Sequence, residues 1–380
     1  MFNFSEAVER MPFSKATNYF GAARKDTVDF SLGEPKDAPP ESVVSAYIQS
    51  LKGGGNRYAP VRGIAELREK IAEKLRGQNY INAAPEEILV TGGASEAISF
   101  SILSLVNKGD EVIIIEPSYP IAASMVKFCG AKPVSLILEE KNNFCPDLEK
   151  LKQMITGKTK MLMINTPHNP TGSVFDKKTL RAISEIFPGI ILADEVYENF
   201  TYGAKHHSLA SVAARPENII TVNSFSKTYA MCGYRVGYLH TQKEIINQML
   251  KLKLCISTCT ANPCQRAALA ALNDTEFPVM VKKRFEERRN LMVRGLKSLG
   301  LQFIEPKGAF YIFPNVAELG GDEKAYEFFL GAGVLTMPGR VFHEDCKNHV
   351  RFSFVADKCD IAEGIGRIDA AFKKLSLHSR

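Results

Sequence analysis

Short apolar runs and amphipathic stretches alternate through the middle of the chain. Residues 86–91 (EEILVT), 110–117 (DEVIIIEP), 133–138 (PVSLIL), 159–167 (TKMLMINTP), 189–195 (GIILADE) and 218–226 (NIITVNSFS) are rich in aliphatic and β-branched positions, the pattern of buried strands. Between them, 95–106 (SEAISFSILSLV), 119–130 (YPIAASMVKFCG) and 177–187 (KKTLRAISEIF) show helical spacing, and Gly130 closes the second. This alternation predicts an α/β domain on a largely parallel sheet flanked by helices. From about residue 275 the rhythm changes. Residues 277–300 form one long charged helix, and 308–314 (GAFYIFP) and 349–355 (HVRFSFV) read as short strands, an α+β pattern. The predicted division is a large domain over 46–275, a smaller one over 276–380, and a segment 1–45 that packs with the smaller domain.

Composition adds exclusions. The 48 basic residues barely outnumber the 42 acidic ones and form no long run, so no nucleic-acid partner is expected. No apolar run approaches the roughly 20 residues that span a bilayer, and the first residues lack an apolar signal core. Eight cysteines in a chain this long are no disulfide framework. Cys255, Cys259 and Cys264 cluster without zinc-ligand spacing. A cytoplasmic protein with reduced thiols and no metal is the expectation, and His206-His207 reads as a solvated loop pair.

In open parallel sheets, ligands bind outside the carboxyl ends of the strands. The strands named above are followed by Gly92-Gly93-Ala94-Ser95, by Ser118-Tyr119, by Thr166-Pro167-His168-Asn169-Pro170-Thr171-Gly172, by Asp194-Glu195-Val196-Tyr197 and by Ser224-Phe225-Ser226-Lys227. All of these fall on one sheet edge. The glycine turn at Gly93 suits an anion at the N-terminus of the following helix. It equally suits a tight turn capped by Ser95. Ser224, Ser226, Lys227 and Arg235 suit a phosphate and a carbonyl, since a lysine among cations and apolar groups can form a Schiff base. The alternative is an exposed loop lysine. Asp194 ends an apolar run, where a carboxylate is costly to bury without a cationic partner. It could instead cap a helix.

Ser224-Phe225-Ser226-Lys227 with Gly233-Tyr234-Arg235-Val236-Gly237, Asn165-Thr166-Pro167-His168-Asn169-Pro170-Thr171-Gly172, and Asp194-Glu195-Val196-Tyr197 resemble the signatures of class I/II aminotransferases. The resemblance runs from Ser31-Leu32-Gly33-Glu34-Pro35 to Val350-Arg351-Phe352-Ser353-Phe354, and its flavour is the aspartate and aromatic aminotransferase branch. It implies a fold-type I enzyme with a seven-stranded, mostly parallel sheet and pyridoxal 5'-phosphate as cofactor. It implies that Lys227 holds the cofactor as a Schiff base and shuttles the substrate proton, and that Asp194 keeps the pyridine nitrogen protonated. Asn169 and Tyr197 would bond the ring hydroxyl oxygen and Tyr119 would stack on the ring. Gly93, Ala94, Ser95, Ser224, Ser226 and Arg235 would surround the phosphate. Arg351, with Gly33 and Asn169, would hold the substrate carboxylate, and Tyr58 would reach the phosphate of the neighbouring subunit in a homodimer. The implied activity is transfer of an amino group from aspartate, glutamate or an aromatic amino acid to a 2-oxo acid such as 2-oxoglutarate. Relatives acting on aspartate often carry lysine where Ser95 stands, and the stacking position is Tyr119 in a chain with no Trp. His168 reads as a pocket-rim residue. Two alternatives are a β-lyase on the same scaffold and a non-catalytic cofactor-binding regulator. The regulator would need an added DNA-binding domain, for which the early start of the resemblance leaves no room.

Overall fold

A computed structural model describes residues 3–13, 19 and 26–378. Twelve strands form three sheets: β1 Val28–Asp29, β2 Ile88–Thr91, β3 Glu111–Glu116, β4 Lys132–Ile137, β5 Thr159–Asn165, β6 Ile190–Asp194, β7 Ile219–Ser224, β8 Gly237–His240, β9 Tyr311–Ile312, β10 Val334–Leu335, β11 Met337–Pro338 and β12 Val350–Ser353. The seven-stranded sheet runs β2-β8-β7-β6-β5-β3-β4. All its neighbours pair in parallel except β8, which is antiparallel to both β2 and β7.

The unbroken apolar runs reflect burial on both faces. Ile113 and Ile115 of β3 pack into one core with Val90, Leu162, Ile164 and Ile191. Val112 and Ile114, one position out of phase, pack into another with Leu89, Met161, Met163 and Leu192. Each buried aliphatic side chain contributes about 1.5–3 kcal/mol relative to exposure, so a slip of one residue in register would forfeit little apolarity but would misplace every polar strand end.

β8 is the strand the sequence pattern did not reveal. Its reversal brings its first residue, Gly237, opposite both Thr91 and Ser224 at the carboxyl edge. A Cβ at Gly237 would lie 2.8 Å from the Gly93 carbonyl carbon, so only glycine permits this close approach of backbones.

A third core surrounds the long helix Glu276–Ser298 with β9, β10 and β12, and takes in Phe30, Val196 and Tyr197. The N-terminal part divides. β1 pairs in parallel with β10, whereas Arg10, just past the helix Glu6–Glu9, donates to the carbonyls of Lys127 and Phe128 beside the large sheet. Residues 1–2, 14–18 and 20–25 of the predicted 1–45 segment lie outside the described residues. No helix among the described residues is long and apolar enough to cross a membrane.

Candidate active site

The carboxyl edge of the large sheet opens into a cleft of about 500 Å³. Gly33, Ala94, Ser95, Tyr119, Asn169, Asp194, Tyr197, Ser224, Ser226, Lys227, Arg235 and Arg351 all line it. Gly93 stands behind this wall: a Cβ there would lie 2.5 Å from Nη2 of Arg235, and its φ of 88° is in the left-handed region. Tyr58 is apart, 87% exposed and outside the cleft.

Each element delivers its group by local logic. The helix Ala94–Leu105 has Gly93, not Ser95, as its N-cap, and no side chain caps it. The N-terminal end, with its positive dipole, therefore faces the cleft uncapped. Arg235 lies beside this helix end, itself left-handed at φ 53° and donating to the carbonyls of Cys232 (2.9 Å) and Gly92 (3.3 Å). Ser224 caps the short helix Phe225–Thr228, accepting from Ser226 N at 3.1 Å, and the two hydroxyls lie 2.9 Å apart. Lys227, half-buried, donates from Nζ to the Gly33 carbonyl at 2.6 Å.

Asp194 ends β6 and accepts the Val196 N–H at 3.3 Å. Part of its surface opens to the cleft, but the surrounding protein is deep. Burial pushes its carboxyl up to about 7, against the smaller lowering by the Val196 N–H and the Lys227 charge. Tyr197 stays protonated, held well above the usual phenol range first by burial and then by Tyr311. Its oxygen lies 3.4 Å from Asn169 Nδ2 and 3.0 Å from the Tyr311 hydroxyl.

Arg351 comes from β12. It donates from Nη1 to Asn169 Oδ1 at 2.9 Å and from Nη2 to the Ser31 carbonyl. Its guanidinium lies between the rings of Tyr311 (4.3 Å) and Phe342 (4.7 Å), and its buried Nε has no partner. Burial lowers its pKa from the ordinary arginine value. An unpaired buried donor on a cation at a cleft wall suits an anion, above all a carboxylate that takes two N–H groups at once.

Two sequence expectations are corrected. His168 is not at the rim. It is fully buried, its Nδ1 lies 2.8 Å from Thr171 Oγ1, and burial lowers its pKa to about 3. His206 is not solvated: its side chain is 10% exposed and its Nε2 lies 3.3 Å from Glu195. Glu195, Glu198 and His206 bring potential ligand atoms within 4.8 Å of one another. Their carboxylates are already engaged, however, by Ser208, Leu209 N and His206 on Glu195 and by Lys74 and Asn79 on Glu198. All eight cysteines are free. Sequence reasoning missed Tyr311, Phe342 and Cys232 around the cleft; the first two carry only the signal of an apolar strand or turn.

Comparison with known proteins agrees with this geometry. The chain is 38% identical over 381 residues to an aspartate aminotransferase of Pyrococcus horikoshii, covering 97% of each chain. It is 34% identical over 385 residues to aromatic-amino-acid aminotransferase 2 of Thermococcus litoralis, covering 98% of this chain and 99% of the relative. The aspartate aminotransferase of Thermus thermophilus solved with maleate superposes with a TM-score of 0.92 at 34% identity, over 98% of this chain and 100% of that one. Residues 25–368 match the family model of aminotransferase class I and II, and the chain accordingly belongs to that family of transaminases.

Proposed function

We propose that the cleft binds pyridoxal 5'-phosphate, the cofactor of this family, and moves an amino group from an L-amino acid to a 2-oxo acid. The observation that carries this reading is that Asp194, Lys227 and Arg351 face one cleft, each suited to a different kind of partner. Asp194 suits a cation, since burial otherwise keeps it near neutral. Lys227 is placed to meet a carbonyl, and Arg351 a carboxylate. The Gly93 turn, the uncapped end of helix Ala94–Leu105, Ser224, Ser226 and Arg235 suit a phosphate.

When bound, the cofactor supplies an electron sink for charge that develops at the substrate α-carbon. The chain's residues do the rest. Asp194 holds a proton on the ring nitrogen. Tyr197 and Asn169 would donate to the ring hydroxyl oxygen, and Tyr119, 52% exposed at the mouth, would pack on the ring. Arg351 would fix the substrate carboxylate, and Lys227 Nζ would take the proton from the substrate α-carbon and deliver it to the carbon that was the cofactor's carbonyl.

Substrate choice follows from the wall. Among the described residues, the lining cations are Lys227, Arg235 and Arg351, and each already has a role. Leu32, Ile98, Ile121 and Ala122 give the wall apolar surface, Glu34 adds an acidic group to it, and Ser95 offers no charge. Aromatic and large apolar donors are therefore favoured over aspartate. A panel of phenylalanine, tyrosine, aspartate and glutamate should give the highest kcat/KM for an aromatic donor. Aspartate ahead by tenfold would overturn this choice. Release of pyruvate and ammonia from a cysteine S-conjugate without any acceptor would favour a β-lyase instead.

The same reading includes a homodimer in which Tyr58 reaches the neighbouring subunit's phosphate site. Supporting it, Tyr58 is exposed, as are the apolar Ile48, Leu51, Leu254 and Ile256. Sedimentation should show a dimer at assay concentration; a fully active monomer would exclude the arrangement. We place the cofactor site in residues 46–275 and the smaller domain, which supplies Arg351, in 276–380. Eight free cysteines suit the reducing cytoplasm.

A further inference from the structure

Tyr311 belongs to none of the motifs that point to the cleft, yet three parts of the site meet on it. It sits on β9, 1% exposed. Its phenol oxygen lies 3.0 Å from that of Tyr197. Its ring face lies 4.3 Å from the Arg351 guanidinium carbon. A Cβ at Gly33 would lie 2.1 Å from its hydroxyl, so the phenol occupies the space any other residue at 33 would fill. Gly33 is also the residue whose carbonyl accepts Lys227 Nζ.

The proton direction follows from counting donors. Tyr197 has one proton and two lone pairs. When that proton points into the cleft, the oxygen can only accept from its protein neighbours. The Asn169 amide at 3.4 Å is a long partner, and the Tyr311 hydroxyl at 3.0 Å is the better one. A phenol that accepts a hydrogen bond becomes a stronger donor, because chained bonds polarise one another in a low-dielectric site.

We propose that Tyr311 is a positioning residue that links the two halves of the reaction site: its hydroxyl donates to Tyr197 and sharpens that phenol as a donor, while its ring seats Arg351 for the substrate carboxylate. The proposal rests on the cofactor reading given above. The neutral state it needs at Tyr197 accords with the burial that holds this phenol well above its usual range.

Two variants of the holoenzyme separate the roles. Tyr311→Phe keeps the ring and removes the hydroxyl; Tyr311→Leu removes both. The first readout is the pH midpoint of the bound cofactor's visible absorbance. A weaker Tyr197 donor leaves the ring oxygen a better partner for the protonated nitrogen beside it, which then keeps its proton to higher pH. The second is the Kd of 3-phenylpropionate or maleate, whichever binds wild type more tightly. Tyr311→Phe should raise the midpoint by about half a pH unit and leave Kd within about twofold. Tyr311→Leu should shift the midpoint similarly and weaken binding about tenfold, the size of a desolvated cation–π contact. An unshifted midpoint in Tyr311→Phe overturns the hydroxyl's role, and unweakened binding in Tyr311→Leu overturns the ring's. Wild type without any cofactor absorbance would instead fail at the cofactor reading itself, and the proposal would fall with it.

Discussion

Lys227→Ala is expected to lower kcat/KM for the best donor by about 10⁴-fold or more, the combined size of a lost general base and a lost covalent anchor. The fold should survive. Lys227 is half-buried and its Nζ makes one hydrogen bond, to the Gly33 carbonyl. Removing it costs on the order of 1 kcal/mol, so far-ultraviolet circular dichroism and melting temperature should stay close to wild type. No other lysine lines the cleft among the described residues, and the remaining cations there are the arginines Arg235 and Arg351. No neighbouring lysine can therefore take over its place. A variant with wild-type turnover would remove Lys227 from the chemistry.

Asp194→Asn has the second large effect, and it acts in opposite directions on activity and on cofactor-free stability. Asn cannot pair as an anion with a protonated ring nitrogen, so turnover should fall by roughly 10²–10⁴-fold. Stability behaves otherwise. In the folded, cofactor-free protein, Asp194 keeps its proton up to about pH 7, whereas its ordinary value is 3.8. The stability tied to this group is fully present below that ordinary value and is lost as pH rises through about 7. At pH 8 the ionised carboxylate burdens the folded state by on the order of 2–4 kcal/mol, at about 1.36 kcal/mol per pKa unit. Cofactor-free Asp194→Asn should consequently melt a few degrees above wild type at pH 8, and the advantage should vanish near pH 4. Thermal melts at the two pH values check this. Equal melting at pH 8 would show that Asp194 is not strained there.

The residues that produce these effects were legible because their physics is local. An apolar run ended by Asp194 announces a carboxylate at a strand edge, and parallel strands send all such edges to one side. The motif residues therefore share a wall. β8 was hidden because its four residues begin at a glycine inside the Tyr234–Gly237 stretch and look like loop. Its antiparallel course depends on close passage over Gly93, which no periodicity encodes. His168 misled for a related reason. A polar ring in a turn looks exposed, but this turn folds back, with His168 N donating to Ser173 O at 2.9 Å and Gly172 N to His168 O at 2.9 Å. Tyr311 looked like one more aromatic of an apolar strand. Its role depends on the pairing of β9 with β12, and on a missing side chain at Gly33, far away along the chain.

The central claim is that Lys227 is the residue that bonds to the cofactor. Sodium borohydride reduction of the cofactor-loaded enzyme, followed by proteolysis and mass spectrometry, tests it most directly. The reduced pyridoxyl group should appear on the peptide containing Ser224-Phe225-Ser226-Lys227, and be absent from reduced Lys227→Ala. A label on another lysine, or none on a loaded and active enzyme, would contradict the account.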